Sequence, residues 1–274
     1  MKKTALPAAI VALASALSLG SCDAMFNTNL FKAANLGQFD LSKYSMKSLV
    51  DIAAAALSAP LAFYAQLAAD ASAKAEALTT LVQSPTAPVP SADPQTNVLA
   101  AAIIINTSPA GSVIDNVPKA VNYLTSLSDT TTVAPETILT TALTDILPPD
   151  ANPLTGGTYD NFVAMMTAFT QASTLLSAVP VTSSTDPATG VTTYTMAAMP
   201  GATAQDTATY ALLSIGLSGI EATTNPSPTN NILALWDAIS TGDVSGITIS
   251  TSVYDSSGPS TTITNLLKVL GLSF

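Results

Sequence analysis

Histidine and arginine are both missing from this 274-residue chain, and cysteine occurs once. Without histidine there is no imidazole to act as general base or to bind a transition metal. That excludes Ser-His-Asp and Cys-His nucleophile systems, zinc hydrolases and haem held by histidine. Without arginine there is no bidentate grip on phosphate or carboxylate. All eight basic residues are lysines, set against eighteen acids for a net charge of −10. Nucleic acid, polyphosphates and anionic headgroups are therefore poor ligands unless a divalent cation bridges them, because the counterion-releasing cationic surface is absent. A single cysteine rules out an internal disulfide. Long apolar runs are also scarce. Outside the N-terminal segment the best is Val98 to Ile105, far short of the roughly 20 residues that span a bilayer.

What the chain does have is most distinctive at its start. Lys2 and Lys3 lead into an uncharged apolar run from Ala5 to Leu19, and Leu19-Gly20-Ser21-Cys22 follows at once. A positive n-region, a short apolar h-region and small residues before a cut site make a secretory signal. Leu19, Gly20 and Ser21 at −3, −2 and −1 with Cys22 at +1 resemble the lipobox of the bacterial lipoprotein signal. That resemblance implies removal of residues 1–21, a diacylglycerol on the Cys22 sulfur and an amide-linked chain such as palmitate on its nitrogen. A lone thiol exported to an oxidising compartment has no pairing partner, so acylation is the simplest account of it. Two or more acyl chains exceed what reversible binding supports, so the anchor is lasting. The mature chain would be held on a membrane without spanning it, on the periplasmic face or the cell surface. Its net charge would fall to −12 as Lys2 and Lys3 leave. Asp23 stands beside the anchor, where an aspartate resembles an inner-membrane retention signal in some envelopes and carries no such meaning in others.

The rest is rich in alanine, serine and threonine, and 48% of the whole chain is apolar, enough to bury a sizeable core. Residues 22–43 read as a lipidated tether, although Phe26, Leu30, Phe31, Leu36 and Phe39 make it more apolar than a plain linker and suited to partial docking. Residues 44–274 read as a helical domain. Ser48 and Asp51 open a helix bearing Leu49, Ile52, Ala53, Ala56 and Leu57 that stops before Pro60. A second helix is expected from Leu61 to about Val82, with Leu67, Ala71, Leu78 and Leu81 inward and an Asp70/Lys74 pair outward. The two suggest an αα-hairpin. Pro85, Pro88 and Pro90 stiffen a linker ending in Asp93-Pro94, an N-cap and N1 pair. Helices follow to about Asn106, from Pro118 to Ser128, from Pro135 to Leu147, and from Tyr159 to Val179 with Phe162, Met166, Phe169, Ser173 and Leu176 on one face.

Val181–Ser184 and Val191–Met196 flank Asp186-Pro187-Ala188-Thr189-Gly190 and read as a β-hairpin. Helical spacing resumes through Tyr210, Leu213, Leu217 and Ile220, then from Ser227-Pro228 through Ile232, Leu235, Trp236 and Ile239. A strand is expected between Ile247 and Tyr254. The last helix holds Ile263, Leu266, Leu267 and Leu270, with Gly271 as its C-cap glycine. The fold class is mainly α: an antiparallel helical array, as a bundle or a tetratricopeptide-like α-solenoid, with one or two β-hairpin insertions. No tetratricopeptide signature repeats at a constant period.

No nucleophile motif is present, and only Glu76, Glu136 and Glu221 are glutamates. The aspartates sit where caps and turns need them, Asp51 and Asp93 at helix starts and Asp186 and Asp255 in turns. Asp150-Ala151-Asn152 with Thr155, Gly156 and Asp160 fails the calcium-loop frame, because Leu154 stands where an oxygen ligand is required. No cofactor or metal is expected. The expectation is a lipid-anchored, non-enzymatic envelope protein that works by binding or scaffolding a protein partner. The alternative is a binder of a small apolar ligand or solute, with Phe63, Tyr64, Tyr123, Tyr194, Tyr210 and Trp236 as pocket walls. A carboxylate-dependent hydrolase ranks third.

Overall fold

Helix starts organise this chain more visibly than its apolar periodicity does. The computed structural model describes residues 39–113, 116, 145–222, 231–243, 246–250, 253–255 and 258–271. Eight α-helices lie in them: α1 Leu49–Ser58, α2 Pro60–Ala69, α3 Ala71–Val82, α4 Pro94–Asn106, α5 Tyr159–Ser177, α6 Ala204–Ser218, α7 Asn231–Thr241 and α8 Thr261–Val269. Side chains of Ser48, Asp70, Asp93, Thr158, Thr203 and Ser260 accept the first free N–H groups of six of them, as N-caps do. At α6 the cap is reciprocal. Thr203 Oγ1 accepts from the Asp206 amide, and Asp206 Oδ2 accepts from the Thr203 amide at 2.8 Å.

The fold is mainly α with small antiparallel β pairs. Strands β1 (Thr182–Thr185) and β2 (Thr192–Thr195) form the expected hairpin, with Thr182 opposite Thr195 and Gly190 at φ 70°. β3 (Ile220–Ala222) pairs with β4 (Ile247–Ile249), and β5 (Tyr254–Asp255) with β6 (Gly258–Pro259). Lys268 of α8 sits over the Tyr194 ring, 5.3 Å from its centroid, and pins the first hairpin to the helices.

Three expectations are corrected. The helix expected over 61–82 breaks at Asp70, whose carboxylate accepts from the Ser72 and Ala73 amides. A carboxylate spent on a cap does not pair with Lys74. Lys74 turns inward instead, half-buried, and donates to the Thr107 carbonyl at 3.3 Å, while Ala71, expected inside, is exposed. Nor are α1 and α2 an antiparallel hairpin: they meet at a 118° corner at Ala59. Finally, α6 stops at Ser218 and Ile220 enters β3 opposite Ile249, while the strand expected from Ile247 to Tyr254 divides into β4 and β5. Gly219 makes that turn possible, because a β-carbon there would overlap the Val253 side chain. The helices expected over 118–128 and most of 135–147, and the start at Ser227-Pro228, lie outside the described residues.

Packing follows chain order. α5 lies against both α4 and α6, α4 against α3 and α2, and α8 against α6. One continuous apolar core runs from Met46 to Val269, with Phe63, Phe162 and Phe169 its largest fully buried side chains. Phe169→Ala removes an aromatic from the middle of α5 and is expected to cost about 3–5 kcal/mol, against less than about 0.5 kcal/mol for Val191→Ala on the exposed hairpin. Urea unfolding midpoints measure both. Gly219→Ala is expected to cost about 1–3 kcal/mol in the same assay, because Val253 must be displaced.

Candidate functional site

A buried phenol lies where α2 meets α4, α6 and the Met199–Ala202 loop. Pro60 starts α2 without needing an N–H partner, and the next turn carries Tyr64 inward, 6% exposed. Its ring tilts against Phe63 at 5.2 Å. Tyr64, Leu61, Asn106, Met199 and Tyr210 line a crevice there. Asn106 spends its amide N–H on the Ala102 carbonyl at 2.8 Å. The Tyr64 hydroxyl has no hydrogen-bond partner. Burial pushes its phenol above the ordinary value of 10.0, and the neighbouring Tyr210 phenol adds to the rise. The cavity volume, counted as space open to the centre of a water molecule, is about 10 Å³. That is room for about one water, since ligand pockets run to hundreds of Å³.

Of the expected pocket walls, the structure brings together only Tyr64 and Tyr210. Phe63 is sealed in the core with Phe39 edge-on at 6.3 Å. Trp236 is half-buried between Tyr159 and Phe162, at 5.7 and 5.5 Å. Tyr194 lies under Lys268 on the hairpin. Tyr123 lies outside the described residues, as do the lipobox residues Leu19, Gly20 and Ser21 and the lipidation site Cys22.

Several of the acids serve the backbone. Asp93 accepts from the Gln95 and Thr96 amides and from Thr96 Oγ1, which holds its carboxyl below the usual range. In the hairpin turn Asp186 accepts from the Ala188 amide and Thr189 Oγ1, with the same direction of shift. Asp51 is the third residue of α1, not its cap. Ser48 caps that helix, and Asp51 Oδ2 reaches back to the Ser45 amide at 3.3 Å. In the 150–161 connector the Asn152 side chain accepts from the Leu154 amide, Gly157 donates to the Asn152 carbonyl, and the Asp150 carbonyl accepts from Asn161 Nδ2. Those oxygens close a turn on itself. Among the described residues, no three Asp, Glu, Cys or His side chains gather.

No protein family, curated protein or solved structure matches the chain.

The outer face of α1 corrects an expectation, because Leu49 and Leu57, grouped with Ile52 and Ala56 by spacing, lie outside with Val50. Leu49, Val50 and Leu57 are 49%, 77% and 65% exposed, three of the seven large apolar side chains exposed among the described residues. The other four are scattered over separate places, and scattered ones are ordinary. Nine of the ten residues of Leu49–Ser58, all but Asp51, are apolar or small, so the helix has more apolar faces than its packing can cover.

Tyr64→Phe tests the crevice. Deleting an unpartnered buried hydroxyl is expected to leave stability unchanged or raise it by about 1 kcal/mol. In the native chain the unfolded phenol ionises near 10.0 and the folded one only at higher pH. Stability is then full below about pH 10 and falls above it by up to roughly 1.4 kcal/mol per pH unit. Unfolding curves between pH 8 and 11.5 should show a shallower fall for Tyr64→Phe.

Proposed function

We propose that this chain is an exported lipoprotein of the cell envelope, held on a membrane through acylated Cys22, and that its helical domain works by binding a protein partner, without catalysis. The observation that carries the reading is the run Lys2-Lys3, Ala5 to Leu19 and Leu19-Gly20-Ser21-Cys22, whose order and lengths suit export followed by lipidation. Surface binding is favoured over enclosure of a ligand between Tyr64 and Tyr210 by the size of that crevice. Among the described residues, the Tyr64 crevice admits about a water molecule, so a small apolar ligand would require α2 and the Met199–Ala202 loop to part. Hydrolysis is the least supported reading, because Asp40, Asp70, Asp93, Asp186 and Asp206 are all engaged in caps or turns.

Intact mass of the native protein, extracted from membranes in detergent, tests the anchor. The expected mass starts at Cys22 and carries acyl chains, and Cys22→Ala loses them and leaves the membrane fraction. An unacylated mass with a cut elsewhere overturns the reading. Photo-crosslinking in intact cells then tests partner binding, the expected result being a discrete adduct from the α-helical surface.

A further inference from the structure

We infer that the outer face of α1 is a membrane-contact surface: Leu49, Val50 and Leu57 rest on the bilayer that holds the Cys22 acyl chains. This rests on the lipid anchor proposed above and adds an orientation to it. Three observations converge on the same end of the molecule.

The first is apolarity. Three large exposed apolar side chains on one ten-residue helix, with exposed Ala54 between Val50 and Leu57, make a patch where isolated residues would be ordinary. At about 15 Å long, α1 is half the thickness of a bilayer core, so the contact is with its surface.

The second is reach. The chain enters the domain at Phe39, stacked on Tyr44 at 5.6 Å and edge-on to Phe63, with the Phe39 carbonyl accepting from Gln66 Nε2 and the Leu41 amide donating to Gln66 Oε1. Tyr44 Oη lies 3.4 Å from Ser58 Oγ, next to Leu57. The entry point is therefore beside the apolar face. Only residues 23–38 separate it from the lipidated cysteine, a tether that cannot exceed roughly 55 Å.

The third is charge. Between Cys22 and Ser58, Lys32, Lys43 and Lys47 balance Asp23, Asp40 and Asp51, whereas the rest of the mature chain carries the whole net charge of −12. Glu76 of α3, 3.3 Å from Lys47, belongs to the same end and sets Asp40, Asp51 and Glu76 against Lys43 and Lys47 there, a small acidic excess that an anionic bilayer repels less than the strongly acidic rest.

The test uses the full-length lipoprotein reconstituted in phosphatidylethanolamine–phosphatidylglycerol vesicles. With Cys22 acylated, Val50→Cys, Leu57→Cys and, on the exposed hairpin turn, Ala188→Cys each provide one reactive thiol for a nitroxide label. Collision rates with oxygen, which concentrates in lipid, and with a water-soluble nickel chelate read the environment. The expected result is a several-fold higher oxygen-to-nickel ratio at 50 and 57 than at 188. Equal, water-like ratios at all three positions, on protein whose mass shows acyl chains, overturn the contact and leave the anchor standing. Low collision rates with both reagents at 50 and 57 overturn it in favour of a protein cover, either residues 23–38 or a second copy. Absence of acyl chains from the mass overturns the anchor and this contact together.

Discussion

Ten of the thirteen residues of α4 and twelve of the fifteen of α6 are buried, so neither helix has a side to give to water. Both need neighbours all round, and α5 serves them from between, with Phe162, Met165, Met166, Phe169, Leu175 and Leu176 inward. Aromatics are only 5% of the chain, so the filling is done by alanine, isoleucine and leucine at close helix spacing. A core built from small side chains has little slack, because each gap between helices is only as wide as an alanine or isoleucine requires. The rest of the fold hangs on that three-helix contact. α2 and α3 cover α4, and α8 covers α6.

Burying helices so fully brings polar groups inside, and the chain handles them locally. Thr207 Oγ1 accepts from the Met199 amide and donates to the Thr203 carbonyl. Asn97 exchanges two hydrogen bonds with the Ser91 backbone, which ties the proline-rich linker to α4. Serine and threonine thus supply hydrogen bonds within a turn or two of themselves, as buried polar groups require. Among the described residues, Ser214 and Tyr64 are the exceptions with an unpartnered buried oxygen.

Much of this was legible in order along the chain. Ser48, Asp93 with Pro94, the β1–β2 turn and Gly271 at φ 79° each carry a signal confined to a few residues, and each helix or turn is where that signal puts it. Asp70 was misread because two local rules compete there. An aspartate four residues before a lysine suits a surface pair, and an aspartate before Ala-Ser-Ala suits a cap. The cap satisfies two amide groups at once, which a screened surface pair worth a few tenths of a kcal/mol does not match. Ile220 was misread for a different reason. Its partner Ile249 is nearly thirty residues away, and no window along the chain reports a pairing of that kind. Leu49 and Leu57 were read into one apolar stripe with Ile52 and Ala56, because periodicity finds apolar positions at helical spacing and does not say which of them the packing covers.

An exposed α1 face also explains why so small a patch suffices. Three aliphatic side chains contribute a few kcal/mol at most on reaching an apolar phase, too little to hold a free protein on a surface. An acylated Cys22 changes the arithmetic, because a tether of sixteen residues holds α1 within tens of ångströms of the lipid at an effective concentration in the millimolar range. Contact then costs little further translational entropy, and a weak surface becomes an adequate one. On this proposal acylation would supply attachment and α1 orientation. A protein partner would then meet the acidic remainder, where the net charge of −12 favours a basic or lysine-rich surface over another acidic one.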